Sequence, residues 1–428
     1  MTYEKALEKI HSLDKFGSRP GLDRISALFE MLGDDLLEQK FIHVAGTNGK
    51  GSTCQMISRV LKESGYKTGL FISPYITDFC ERIQINNEMV KRDVLAKAVE
   101  HLCPMLDKLN EQGIIITEFE FLTAVAFYIF KHENCDIIVC ETGLGGLLDS
   151  TNLIKKPLCS VLTKIDLDHV AILGDTIELI TEQKCGIIKE NSITVSAIQN
   201  EISSEIIEDT AKSKNNKLYL AEDVQFSDIS MSIDGSSFTY SDLRLSLPLI
   251  GEHQLDNAKT AIATLNALKE NGLINFTDAD LKNGLAKTQN PARFEILCKS
   301  PVVVLDGAHN VNGMTAFKNA TQQFTEGKRA LLVGMLEDKD VDSSLSLIKG
   351  MFDVAIVTDV PNPRNMDCYK LADICKKYFD KVIVCSNPKS AFDTAYTLSV
   401  DNDYSLLICG SLYLAGELRP HILEKLEK

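Results

Sequence analysis

The chain has 428 residues, a formal net charge of −15, 44% hydrophobic and 25% charged residues. That length exceeds a single core and predicts two domains of a soluble globular protein, and the acidic balance argues against a nucleic-acid or acidic-membrane partner. The 12 cysteines form no C-x-x-C pair and no Cys/His zinc spacing, which predicts reduced thiols in a cytoplasmic protein.

In chain order, Tyr3, Ala6, Leu7, Ile10 and Leu13 come first, at helical spacing, without the apolar region or cleavage site of a signal peptide. FIHVA (41–45) reads as a buried strand. GTNGKGST follows at once, and Met56, Ile57, Val60 and Leu61 then mark a helix. A strand, a glycine turn and a helix N-terminus make a phosphate cradle: glycines let backbone N–H groups approach the oxygens, the helix dipole favours anions, and Lys50 adds a point charge. The spacing is not that of G-x-x-x-x-G-K-[ST], which needs Gly at position 44 and Ser or Thr at 51. The chain has Val44 and Gly51, with hydroxyls at Ser52 and Thr53.

Further on, GLFIS (69–73), DIIVCE (136–141), CSVLT (159–163) and SITVSAI (192–198) read as strands, and 119–133, 176–190 and 201–212 as helices. The longest apolar stretch, Phe119 to Phe130, is broken by Glu120 and Thr123 and is too short to span a bilayer. Short Val/Ile runs between helices predict an α/β domain with a mostly parallel sheet covered on both faces. From Leu218 to Leu247, period-two segments around Asp234-Gly235 predict a small antiparallel subsheet, before helical spacing returns at 254–270 and 277–287.

Asn290-Pro291-Ala292-Arg293 reads as a connector. VVVLD (302–306), ALLVG (330–334), VAIVTD (354–359), KVIVC (381–385) and SLLICG (405–410) then predict a second, Rossmann-like α/β domain. The expected division is a nucleotide-handling P-loop-type domain over 1–290, a linker over 291–300 and the C-terminal domain over 301–428.

Ligands of open parallel sheets bind beyond the carboxyl ends of the strands. Ser73, Glu141 with the glycine-rich run after it, Asp166, Asp168, His169 and Asp306 all fall there. A carboxylate and a hydroxyl beside a triphosphate suit Mg²⁺. Arg293 can clamp phosphates across an interdomain cleft with its bidentate fork. His309 can cap a helix or approach a nucleotide, and Lys184 by itself reads as a solvated helix lysine.

AGTNGKGST, Ser73-Pro74-Tyr75 with Glu81-Arg82-Ile83, ETGLGG-LLDSTN, LTKIDLDHVAILG, EQKCGIIK, GEHQLDNAKTA, NPARFEI, LDGAHN and CGSLYLAGE lie in one order. Together they resemble the folylpolyglutamate synthase family and the closely related bifunctional dihydrofolate synthases, within the Mur-ligase superfamily. The resemblance runs from about residue 17 to residue 417. It implies an ATP-dependent amide ligase: ATP phosphorylates a folate carboxylate, the amino group of L-glutamate attacks the acyl phosphate, and phosphate leaves. Both partners are anionic, so Mg²⁺ and cations must neutralise charge while a closed cleft excludes water.

The resemblance also implies roles for particular residues. Asn48, Gly49, Lys50, Gly51, Ser52 and Thr53 match the phosphate-binding positions, and Ser73, Glu141 and His169 the Mg²⁺ ligands at two implied sites, with Ser52 a further candidate at the metal nearer the cradle. Lys184 matches a lysine that carries a carbamate. Asn257, Arg293 and Asp306 match nucleotide contacts, and His309 and Ser411 positions lining the cleft. Thr117, Glu118, Phe119, Glu120, Phe121 and Asp149 match positions holding the pterin end. The implied partners are ATP, L-glutamate and a folate or dihydropteroate, bound by a monomer. One position departs from many bifunctional members, which carry a basic residue after ETGLGG where this chain has Leu147. A cell-wall Mur ligase would need a nucleotide-sugar domain ahead of the cradle, where only about 40 residues stand. A P-loop GTPase would need N-K-x-D, where this chain has Thr163-Lys164-Ile165-Asp166.

Overall fold

The computed structural model describes residues 1–13 and 21–427; the start of the resemblance, near residue 17, lies outside them. Strands β1 (Phe41–Ala45), β2 (Thr68–Phe71), β3 (Ile83–Ile85), β4 (Glu88–Met89), β5 (Ile137–Glu141), β6 (Cys159–Leu162), β7 (Ile193–Ser196) and β8 (Lys217–Leu220) form one sheet in the order β4-β3-β2-β5-β1-β6-β7-β8. The run from β2 to β8 is parallel, and β3 and β4 add an antiparallel edge. Every residue of β1 and β5 is buried, which is why their sequences are continuous apolar runs rather than alternations.

One face of this sheet packs against helices Lys50–Glu63 and Glu252–Glu270. The other packs against Arg92–Glu111 and Glu118–His132. Phe121, Phe127 and Phe130 are fully buried there, each stabilising the domain by about 2 kcal/mol. The 20-residue Arg92–Glu111 helix was not among the expected elements, although Leu95, Val99, Leu102, Leu106 and Leu109 bury one stripe at helical spacing. Strands β9 (Ser227–Ser232), β10 (Gly235–Tyr240) and β11 (Leu243–Leu247) form the expected antiparallel subsheet.

The second sheet contains β12 (Glu295–Lys299), β13 (Val302–Leu305), β14 (Arg329–Val333), β15 (Val354–Val357), β16 (Val382–Val384) and β17 (Ser405–Cys409), in the order β12-β13-β17-β14-β15-β16. β12 is antiparallel to β13, so residues 295–299 of the expected linker are an edge strand of this sheet. Among the described residues no helix is long and apolar enough to cross a membrane.

Candidate functional site

β1 sits between β5 and β6, so the loops leaving β1, β5 and β6 converge at one carboxyl-end crevice. The Lys50–Glu63 helix begins there. Its first residue is preceded by Gly49 at φ 84°, and no side chain caps it. The N–H groups of Lys50, Gly51 and Ser52 have no partner among the described residues, which leaves an open anion site at a helix N-terminus. A Cβ on Gly49 would overlap the Asn257 carboxamide, so only glycine lets the turn lie against the Glu252–Glu270 helix.

The turn is fixed from behind. Thr47 and Asn48 donate their N–H groups to Lys164 O (2.9 and 3.1 Å), and Thr47 Oγ1 donates to Asp166 O (2.8 Å). Asn48 is therefore held by its backbone. Lys50 Nζ donates to Gly46 O and Thr47 O (3.0 and 3.2 Å), folded over the loop where phosphate oxygens would bind. Thr53 N–H is bonded to Gly49 O (2.9 Å), so the run of free N–H donors ends at Ser52, while the buried Thr53 Oγ1 has no partner among the described residues.

Glu141, at the end of β5, is 4% exposed. Its Oε2 accepts Ser73 N–H (3.3 Å). Burial pushes its carboxyl up to about 7, against the opposing pull of Lys50, Ser73 N–H and Arg293. A buried carboxylate this poorly compensated, beside a hydroxyl residue and a phosphate cradle, is a hard-oxygen arrangement that fits Mg²⁺. His169 is reached by the charges of Lys50 and Lys184. It takes a left-handed conformation at φ 50°, and its half-exposed ring faces Asp168 (Nε2–Oδ2 3.8 Å).

Lys184 is not solvated. It is 3% exposed, and its Nζ donates to Gly46 O (2.8 Å). Burial, then Lys50, pushes its ammonium down to about 7. This puts a partly neutral amine directly beneath the cradle.

The second domain supplies the other wall. Asn290 Nδ2 donates to Ser52 Oγ (2.9 Å), tying the connector to the helix N-terminus. Arg293 makes no hydrogen bond or ion pair with the described residues, yet its charge acts on Glu141, Asp306, His253 and His309. It is a free guanidinium at the centre of the junction. Asp306 holds the connector: its Oδ2 accepts Phe294 N–H and its Oδ1 Ala308 N–H (both 2.6 Å). His309 Nδ1 lies 2.8 Å from Gly307 O, which leaves Nε2 as the free acceptor. Ser411 is buried and caps the Leu412–Leu426 helix through Tyr413 N–H (3.1 Å).

The positions expected to hold a pterin divide. Phe121 is corrected: it is fully buried in the helical core and cannot touch a substrate. Thr117 and Glu120 form a capping box at the start of Glu118–His132, and Glu120 also pairs with Arg24 (2.7 Å). Asp149 is occupied by Leu144 N–H (2.7 Å), Thr151 N–H (3.0 Å) and Thr151 Oγ1 (2.5 Å). Phe119 remains half-buried, its ring against Phe71 (5.8 Å), and Glu118 faces His11 (3.4 Å). Asn290, His253 and Arg82 were missed as site residues, although each lies in a motif quoted above. The Arg82 guanidinium lies over the rings of Tyr75 and Phe79 (5.2 and 5.4 Å), and its Nε has no partner among the described residues.

A model of the Mur ligase middle domain matches residues 112–265, and one of the Mur ligase glutamate ligase domain matches residues 292–412. The chain is 32% identical to a folylpolyglutamate synthase of Lacticaseibacillus casei, over 99% of both chains. It is 33% identical to a dihydrofolate synthase/folylpolyglutamate synthase of Bacillus subtilis, over 98% of this chain and 99% of that one. A crystal structure of Mycobacterium tuberculosis folylpolyglutamate synthase complexed with ADP and AMPPCP superposes with a TM-score of 0.89 at 29% identity, covering 98% of this chain and 99% of that one.

Proposed function

The chain belongs to the folylpolyglutamate synthase and dihydrofolate synthase family of Mur ligases, and from that premise we propose that it joins L-glutamate to the γ-carboxylate of a folate at the expense of ATP, through an acyl phosphate, and also accepts dihydropteroate. The observation that carries the reading is the uncapped helix N-terminus at Lys50, with Glu141, Lys184 and Arg293 converging on it.

The triphosphate lies on the N–H groups of Lys50, Gly51 and Ser52. Lys50 swings from its loop carbonyls to the phosphate oxygens, and Arg293 closes on them from the connector. Asn257 and the first turn of its helix hold the nucleotide from the side. Ser73 and Glu141 would hold Mg²⁺, with His169 and Ser52 as candidates at a second ion. Bound there, Mg²⁺ would neutralise phosphate charge as the γ-phosphoryl group moves to the folate carboxylate. Lys184 is suited to carbamylation: its neutral amine attacks CO₂, the N–C bond forms, one proton leaves, and the resulting anion sits beside Lys50.

The incoming glutamate amine must lose a proton as it attacks, and His309 Nε2 is a free acceptor on the second domain. Residues 1–290 thus bind and activate, 291–294 connect, and the second domain, which begins with the edge strand Glu295–Lys299, closes the cleft and excludes water, which would otherwise hydrolyse the acyl phosphate. The test is ATP- and Mg²⁺-dependent incorporation of labelled L-glutamate, with tetrahydrofolate and dihydropteroate as parallel acceptors. No incorporation with either acceptor overturns the proposal; incorporation with tetrahydrofolate alone removes its dihydropteroate arm.

A further inference from the structure

Resting on that reading, we infer that Ile76 and Gly416 are positioning residues for the Ser73–Glu141 pair: the second domain holds the loop after β2 by seating Ile76 on a helix position that carries no side chain. The pair itself belongs to the first domain. Ser73 N–H is bonded to Glu141 Oε2 (3.3 Å), and a Cβ on Gly51 of the cradle would lie 3.6 Å from that same oxygen. Whatever moves Ser73 therefore acts on a carboxylate that borders the cradle.

The loop is held at three points. At its start, Ile72 N–H is bonded to Arg82 O (3.1 Å). Along its far half, the Glu81 carboxylate accepts Ile76, Thr77 and Asp78 N–H (2.7, 2.9 and 3.0 Å). These bonds commit the N–H groups to the loop's own domain. The third hold is the second domain. Ile76 packs on the apolar cluster that contains Leu414, Ala415 and Leu418 of the Leu412–Leu426 helix. Among the described residues it is the one side chain from residues 1–290 packed on that cluster.

Gly416 stands in the same helix, and a Cβ there would overlap Ile76 O. Its φ is not left-handed, so the backbone does not require glycine. In a helix interior glycine is the least favourable residue after proline, and alanine would serve better at a position facing open space. The close approach of Ile76 O accounts for the glycine. The helix is fixed in turn within its own domain. Arg419 pairs with Glu295 (2.7 Å), and Glu295 Oε2 accepts Ala292 N–H (3.0 Å), one residue before Arg293. The helix that seats the Ser73 loop is thus tied, through Glu295, to the connector that carries Arg293.

The test is amide hydrogen exchange at Ser73 in the metal-free protein, read by NMR. Gly416→Ala should speed that exchange about tenfold, although alanine favours the helix itself. Ile76→Ala, which empties the seat and leaves the helix untouched, should speed it about fivefold, and it keeps the test open if Gly416→Ala misfolds. Ile76→Val should stay within about twofold. Ile422→Val opens a small cavity in the same cluster further along the helix, and it should lower the urea midpoint while Ser73 stays within about twofold. In ligation, Gly416→Ala should raise the Mg²⁺ concentration for half-maximal rate about tenfold. Ser73 exchange that is unchanged in both Gly416→Ala and Ile76→Ala, or raised as much by Ile422→Val, overturns the inference. So does an unchanged Mg²⁺ dependence in a Gly416→Ala protein whose Ser73 amide exchanges faster. A wild type that forms no glutamyl folate while Ser73 follows this order would instead sink the proposed function.

Discussion

Replacing Glu141 by glutamine should make the metal-free protein more stable at alkaline pH while removing its activity. Glu141 is 4% exposed at the end of β5, and burial raises its carboxyl from 4.5 to about 7. That difference corresponds to about 3 kcal/mol of disfavoured charge. Below pH 4.5 both the folded and unfolded chains carry the proton and the cost is absent. Between 4.5 and about 7 the unfolded chain has lost its proton and the buried group has not, so stability falls as pH rises; above about 7 the full cost stands. Glutamine has the same shape and no charge, so Glu141→Gln removes this slope. Urea denaturation in EDTA should show the variant close to wild type at pH 5 and more stable by up to about 3 kcal/mol at pH 8. Adding Mg²⁺ should stabilise the wild type at pH 8 and leave the variant unmoved, and glutamate incorporation by the variant should fall by about a hundredfold or more. A variant no more stable than wild type at pH 8 in EDTA would refute the reasoning, because the carboxylate would then already be compensated within the protein.

Lys50→Ala should cut ligation by about a thousandfold with an unchanged urea midpoint, since Lys50 bonds only two carbonyls of its own loop; near-wild-type turnover would remove the cradle from the mechanism. Arg293→Ala should raise KM for ATP about tenfold, and an unchanged KM and kcat would deny the guanidinium its clamping role. Lys184 loses its proton near pH 7, so the amine available to CO₂ grows as pH rises through that value. A ¹³C carbamate resonance from labelled bicarbonate should therefore strengthen from pH 6 to pH 8 and vanish in Lys184→Gln, and its absence at pH 8 would leave Lys184 unmodified.

The sequence was most legible where the backbone itself does the work. FIHVA followed by Gly49 and Lys50 is a strand, a left-handed turn and a helix start, and each depends on local residue types. Glu141 and Ser73 were legible one level higher, because strand ends converge wherever a parallel sheet has its switch point. What stayed hidden depends on contacts between segments far apart in sequence. Lys184 sits in an ordinary polar helix pattern, and only its approach to Gly46 O, 138 residues away, turns a solvated ammonium into a buried amine. Phe121 and Phe119 stand two apart in one helix, yet one enters the core and the other stays half-buried against Phe71.

Asp149 shows why matching a position does not fix its role. Its carboxylate was expected to meet a ligand, but Leu144 and Thr151 already use it, so any effect on an acceptor must pass through the loop that it holds. The same logic applies to Asp306, whose two oxygens fasten the connector at Phe294 and Ala308. With Asp306 holding the connector and Asn290 bonded to Ser52, Arg293 is delivered to the cradle by two anchors and is itself bound to neither. Its charge already acts on Glu141 and Asp306, and a triphosphate spanning the cleft would give its unbonded N–H groups bidentate oxygen partners.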